Sequence, residues 1–163
     1  MIEKARHAGE RGGLKDPWPV LVIANPVNAR LIHLTEGVEI FFNARYCEGI
    51  SQSVKLGIKE ALRREAEGIF LFLGDMPFIS EETIRSVFSK AYQEPERIIR
   101  PRYQGIPGFP LYFPSPFFEL GLTITGDQGL KSIIKPLSEY QRWIETDDSD
   151  SIKDIDGPSD LNG

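Results

Sequence analysis

At 163 residues, 40% of them hydrophobic and 26% charged, the chain has the size of one domain with a real core. A formal net charge of −5 argues against a general nucleic-acid binder, which would carry a basic patch, yet leaves room for one nucleotide held by local positive charge. No apolar run nears the ~20 residues of a bilayer span, "MIEKARHAGERGG" lacks the apolar core of a secretory signal, and the single Cys47 allows no internal disulfide, so a cytoplasmic protein with no membrane partner is expected.

Strand and helix signals alternate along the chain. "MIEKARHA" (1–8) places Ile2 and Ala5 on one face of a short helix ending near Gly9. "VLVIAN" (20–25) and "VEIFFN" (38–43) are uninterrupted apolar runs of the kind found in strands covered on both faces. "ISQSVKLGIKEALRREA" (50–66) is helical, with Val54, Ile58, Ala61 and Leu62 as its apolar stripe and Glu60–Arg64 as a surface pair. "GIFLFLGD" (68–75) is a third strand. Ser80 is an N-cap, Glu81 and Glu82 fill a first turn, and Ile84, Val87, Phe88 and Ala91 mark the buried side of the next helix. Then come a short strand "RIIRP" (97–101), a Gly/Pro loop "RYQGIPGFP", the strand-like "PLYF" (110–113), a small helix over 128–135, and a last strand "YQRWIET" (140–146) before an acidic tail. Strands alternating with helices predict a single α/β domain with a three-layer, mostly parallel sheet.

In open α/β sheets ligands bind beyond the C-terminal ends of strands. Asp75, at the end of the most apolar run, suits a Mg²⁺ ligand beside phosphates, and equally a turn-forming Gly-Asp before Pro77. "EGISQS" (48–53) opens a helix, so its amides and the hydroxyls of Ser51 and Ser53 could face a nucleotide or form an ordinary cap. Asp127 could cap the 128–135 helix, and Asp156 sits in a turn-rich "DIDGPSD". His7 and His33 have no partner acid at ligand spacing. Cys47 reads as a half-buried structural thiol. Gly9, Gly12 and Gly13 follow a helix rather than a strand, the wrong setting for a phosphate loop.

Ordered segments together resemble the MobA-like NTP-transferase family, with the molybdenum cofactor cytidylyltransferases as the nearest branch. "FFNARYCEGISQSVKLGI" is similar to the family's "N…EGM.SSL..G", and "FLFLGDMPFISEETI" to its strand-end "GDMP". "RPRYQGIPGFPLYF" resembles "P.Y.G..GHP..F", "ITGDQGLKSII" resembles "L.GD.G.R.LL", and "DIDGPSDL" resembles "DIDTPEDL". The resemblance implies a Rossmann-like, nucleotide-diphospho-sugar-transferase-like fold and transfer of CMP or GMP from CTP or GTP to a phosphorylated, molybdopterin-type acceptor. It implies Asp75 as catalytic metal ligand, with Asp156 as the second carboxylate on Mg²⁺. It puts Asn43, Gly49, Ser51, Gln52, Ser53 and Gly74 at the nucleotide, and Gly105, Pro107, Gly108 and Asp127 on the acceptor side.

The sequence departs from the family pattern in two places. The family opens on a strand and a Gly-rich "LAAG.S.RMG..K" loop, whereas "MIEKARHAG" resembles the helix after that loop, so an N-terminally incomplete fold is expected. Phe109 stands where the family usually has the His of "GHP". Two readings therefore stay open: a nucleotidyltransferase, and a non-catalytic relative serving as a binding or partner module. A homodimer or partner covering the incomplete sheet belongs to both.

Overall fold

The structure, a computed structural model, describes residues 19–27 and 37–155. The helix expected over 1–8, the glycines after it, His7, His33 and Asp156 lie outside the described residues. The described residues fall into two compact units: Gly68–Pro114 with 140–155, and 19–27 and 37–67 with Ser115–Glu139.

In the second of these units β1 (Val20–Ala24) and β2 (Val38–Phe42) pair in parallel, with Val20 opposite Val38 and Ala24 opposite Phe42. Helix α1 (Ile50–Arg63) packs against β1, and its Ile58 and Ala61 are buried. The expected apolar stripe is displaced at one end, for Leu62 is 39% exposed while Glu60 is only 8% exposed. Two arginines account for the exchange. Arg63 donates to both Glu60 oxygens, and Arg64 donates to Glu60 Oε1 at 2.7 Å while forking onto Glu39 of β2 at 2.8 Å through each nitrogen. The anticipated Glu60–Arg64 pair exists, but its carboxylate is buried instead of standing on an open surface, and Arg64, paired also with Glu39, links the end of α1 to β2.

The N-terminus of α1 depends on two features far apart in sequence. Gly49, its cap, has φ 99° and ψ 170°, a backbone state open essentially to glycine alone. A Cβ on Gly49 would also lie 2.5 Å from the carbonyl carbon of Gly126. The same approach lets Asp127 Oδ1 accept a hydrogen bond from Ile50 N at 3.2 Å, so a remote carboxylate satisfies a free donor at the positive end of the helix. Asp127 lies in a short 3-10 turn (Gly126–Gln128). The helix expected over 128–135 shrinks to α4 (Lys131–Ile134), and α3 (Phe118–Gly121) precedes both.

The other unit carries a five-stranded sheet in the order β3 (Gly68–Leu71), β6 (Leu111–Pro114), β4 (Ile98–Tyr103), β5 (Ile106–Pro107), with β7 (Gln141–Glu145) also paired to β4. Helix α2 (Glu81–Gln93) starts where Ser80 Oγ accepts from Thr83 N at 3.1 Å, and its Ile84, Val87, Phe88 and Ala91 are buried as the spacing predicts. Val87 and Ala91 pack on Ile99 and Tyr112, flanked by Phe70 and Ile144. The Phe70 ring centroid lies 4.2 Å from Phe88 and 4.8 Å from Tyr112. Each fully buried Val, Ile or Phe here contributes about 1.5–3 kcal/mol of transfer free energy.

The α/β class stands, but the strand directions are mixed where a mostly parallel sheet was expected. β3–β6, β6–β4 and β4–β5 are antiparallel, and β1–β2 and β4–β7 are parallel. The cause is the brevity of the β4–β6 connection, since a parallel return needs a crossover of about a dozen residues or more. β3 also stops earlier than the apolar run suggests, at Leu71 opposite Leu111. The next place on β6 is Pro110, which has no N–H to give the ladder. Among the described residues no helix is long and apolar enough to cross a membrane.

Hydrogen bonds from Arg63 first, then Arg64, hold the Glu60 carboxyl down to about 2 from its ordinary 4.5. A lowered folded pKa adds stability that is present above the unfolded value and is lost as pH falls from about 4.5 towards 2. Thermal melts should therefore show Tm falling across that window in the wild type and falling less in Glu60→Gln, which starts lower at neutral pH. Equal acid slopes would refute the link.

A paired glycine test addresses the α1 cap. Gly49→Ala should destabilise by about 2 kcal/mol or more through backbone overlap and strain. Gly57→Ala, mid-helix with nothing within 4 Å of its added Cβ, should stabilise by roughly 0.5–1 kcal/mol. Urea midpoints of the two variants read both effects.

Candidate active site

Beyond Leu71 the chain leaves the sheet and turns, with Met76 N donating to Leu73 O at 3.3 Å. Met76 and Ile79 are buried and anchor the turn, while Gly74 and Asp75 stand exposed between the strand and Met76. Asp75 is thus carried on a turn four residues past the strand, not on the strand tip itself. Its carboxylate makes no hydrogen bond or ion pair among the described residues, so both oxygens remain open to a ligand. Its carbonyl accepts from Ile155 N at 2.8 Å, which ties the residue directly before Asp156 to the Asp75 backbone. No group of three or more His, Cys, Asp or Glu gathers for a metal among the described residues. A single free carboxylate is compatible with Mg²⁺, which takes one or two carboxylates and fills its remaining positions with water and phosphate oxygens.

The 103–110 segment is a hairpin, not the irregular loop its composition suggests. Tyr103 pairs with Ile106 across a two-residue turn, Gln104 and Gly105, whose φ values are 47° and 83°. Gly105 and Pro107 are exposed. Gly108 is buried and donates to Pro101 O at 2.9 Å, and a Cβ on it would lie 2.4 Å from Ser151 O. Phe109 N donates to that same Ser151 oxygen at 2.8 Å. Arg100 Nε and Nη2 donate to Gly108 O at 3.2 and 3.1 Å, and its guanidinium lies 5.6 Å over the Phe109 ring. Burial pulls the Arg100 pKa down to about 10.

Residues 146–155 hold these two loops. Ser80 N, at the end of the Asp75 turn, donates to Asp148 Oδ2 at 2.8 Å. Asp148 Oδ1 accepts from Asp150 N at 3.1 Å, and Ser151 Oγ donates to Asp148 O at 2.7 Å. Burial acts to raise the Asp148 carboxyl, but the donors from Ser80, Thr83 and Asp150 outweigh it and leave the group below its ordinary value.

In the second unit the residues anticipated at a nucleotide divide by exposure. Asn43 is 5% exposed and serves as an internal brace: its N donates to Ala24 O at 2.8 Å, its Oδ1 accepts from Arg45 N at 2.9 Å, and its Nδ2 donates to Ser53 Oγ at 3.0 Å. Ser51 is wholly buried and its Oγ has no hydrogen-bond partner among the described residues. Gln52 is half-buried and donates to Glu48, which in turn holds Arg45 in a two-point pair at 2.6 Å. The α1 N-terminus, occupied by Asp127, is poorly suited to a phosphate, because a second anion would meet that carboxylate.

Asp75, Gly74, Gly105, Pro107 and Gly108 therefore share one unit, with the 148–155 segment bonded to both their loops. Asn43, Gly49, Ser51, Gln52, Ser53 and Asp127 share the other. Asp127, expected with the acceptor-side residues, keeps company with 49–53. Cys47 is exposed, contrary to the half-buried role expected of it. Two shallow depressions, one of about 370 Å³ bounded by residues such as Arg85, Lys90 and Ile144, include none of the anticipated site residues. Arg100 and Asp148 are functional candidates that sequence reading passed over. The signal for Arg100 was a basic residue inside an otherwise apolar strand. Asp148 had none, being one of several acids in "DDSD".

The chain matches the model of the MobA-like NTP transferase domain over residues 7–143. It is 28% identical over 116 residues to the purine catabolism protein PucB of Bacillus subtilis, a match covering 71% of this chain and 55% of that relative. The chain thus spans about half the length of this curated relative. Among solved structures, Rv0371c of Mycobacterium tuberculosis H37Rv in complex with manganese has a TM-score of 0.71 at 20% identity, over 99% of this chain and 83% of that one. The 4-diphosphocytidyl-2C-methyl-D-erythritol synthase of Anaerococcus prevotii has a TM-score of 0.65 at 14% identity, over 99% and 82%. At these identities the structural likenesses establish the fold alone, one of the nucleotide-diphospho-sugar-transferase type. With the family model running over most of its length, this chain belongs to the MobA-like NTP transferase domain family, a nucleotidyltransferase-like family.

Proposed function

We propose that the protein is a nucleotidyltransferase that moves CMP or GMP from CTP or GTP onto a phosphorylated acceptor of molybdopterin type, with release of pyrophosphate. The observation that carries this reading is the Asp75 turn: an exposed carboxylate with no side-chain partner among the described residues, followed by the buried Met76 and Ile79, in a "GDMP" sequence like that of the family. Such rigidity is what catalysis by positioning requires.

Asp75, with Asp156 as the second carboxylate, would hold Mg²⁺, whose charge offsets that of the triphosphate. A bond forms between an acceptor phosphate oxygen and the α-phosphorus as the bond from that phosphorus to pyrophosphate breaks. The exposed Gly74 leaves the backbone beside Asp75 open to close approach, and nothing lies within 4 Å of a Cβ built there. The hairpin tip, Gly105 to Gly108, receives the acceptor. In the second unit the 49–53 segment meets base and ribose through its backbone and Gln52, since Ser51 and Ser53 point into the protein's own interior and bonding network. The manganese complex of Rv0371c is consistent with a divalent cation in this family.

The test is pyrophosphate release with CTP or GTP, Mg²⁺ and a molybdopterin acceptor. Asp75→Ala should lower turnover by about 100-fold or more, as loss of several kcal/mol of charge stabilisation implies, with Tm unchanged. Gly74→Ala should also keep its Tm, because space exists for the methyl group, yet raise KM as the added side chain meets the bound nucleotide. Turnover that survives Asp75→Ala would sink the metal assignment. No turnover in the wild type with either nucleotide would favour a binding module instead.

A further inference from the structure

Arg100 is an awkward residue for a strand interior. It lies between Ile99 and Pro101, both buried, and is itself half-buried. Other arginines of the described residues, among them Arg45, Arg63, Arg64, Arg85, Arg102 and Arg142, lie in ion pairs with glutamates. Among the described residues Arg100 has no carboxylate partner. Its acceptor is the Gly108 carbonyl, a neutral group that engages Nε and Nη2, and among the described residues Nη1 has no acceptor. Burying a guanidinium without a counter-charge is unfavourable, which is the physical content of its lowered pKa. The side chain is nevertheless held firmly, with the Phe109 ring as one wall and the Gly108 carbonyl fixing the fork. Gly108 is itself immobilised between Pro101 and Ser151.

A pre-oriented, desolvated cation with one open edge is suited to an oxyanion, which a guanidinium binds through parallel N–H donors. We infer that Arg100 recognises an anionic group, phosphate or carboxylate, on the acceptor, and so selects acceptors that carry one next to the hairpin 103–110. The inference rests on the acceptor-side assignment of that hairpin under the proposed function. Arg100 is a specificity residue in this account and takes no part in bond making.

The test uses the full chain without nucleotide. With arginine labelled by ¹⁵N, the Arg100 Nε–H signal, identified by its loss in Arg100→Lys, is followed during titration with inorganic phosphate and, separately, with acetate at matched ionic strength. A saturable shift is expected with at least one of them, and the tighter of the two names the oxyanion. Calorimetric affinity for that anion should fall about tenfold or more in Arg100→Gln, the loss of one charge-assisted contact, and fall less in Arg100→Lys. An Arg100 signal unmoved by both anions, or equal affinity in a folded Arg100→Gln, overturns the inference. Should Arg100→Gln fail to fold, the wild-type titration alone decides. Absent pyrophosphate release together with Arg100-dependent anion binding would defeat only the transfer reading. Full turnover with an unmoved Arg100 signal would defeat only this one.

Discussion

The segment that follows β7 fixes what the site in its unit can be. Through Asp148 it takes the free N–H of Ser80, through Ser151 O it takes the N–H of Phe109, and through Ile155 N it reaches the Asp75 carbonyl. Two loops that would otherwise carry unpaired backbone groups are thereby joined through this segment. A hydrogen bond to an ionised acceptor such as Asp148 is worth about 1.5–3 kcal/mol, against about 1 for a neutral one. Its loss would also release the cap of α2, because Ser80 serves both as acceptor for Thr83 and as donor to Asp148. The Asp75 turn is therefore rigid for reasons that lie 68 to 80 residues away in sequence, and an exposed carboxylate on a rigid turn differs in kind from one on a loose loop.

The second unit solves a related problem with different chemistry. Its strands end at Asn43, whose amide and backbone groups satisfy Ala24, Arg45 and Ser53 together. Six residues later Gly49 lets the chain pass against Gly126, close enough for Asp127 to cap α1. Once the helix terminus is neutralised from within the protein, charge attraction at that point no longer favours a phosphate. What the segment can still offer is shape, backbone groups and the Gln52 amide, which are the means of recognising a base or sugar and not a triphosphate.

How much of this was legible in the sequence depends on the range of the forces involved. The start and the buried stripe of helix α2 were readable to the residue, because Ser80, Glu81, Glu82 and the Ile84–Ala91 stripe are local signals that agree with one another. The exposed Asp75 and the buried Met76 and Ile79 around it follow from the abrupt end of an apolar run. The strand directions were misread because "YQGI" hides a two-residue turn: Gln104 takes a positive φ that is ordinarily left to Asn, Asp or Gly. The buried Glu60 escaped notice because helical spacing ranks residues by their own polarity, and here Glu39, Arg63 and Arg64 together change what that polarity costs. The role of Asp148 left no local trace at all, since its partner is 68 residues distant.

Phe109 gains meaning from the same long-range view. In sequence it is a departure at the place where the family usually carries His, and it removes a side chain able to hydrogen-bond. In the folded hairpin that place is not left apolar, because Arg100 lies over the Phe109 ring and bonds to the carbonyl just before it. An imidazole there would titrate near neutrality, whereas a guanidinium remains charged even with its pKa drawn down to about 10. The aromatic ring is also the better platform for that charge, since its face attracts a cation without neutralising it. Read as a pair, Arg100 and Phe109 keep a positive group at the hairpin and make its charge independent of pH over the physiological range.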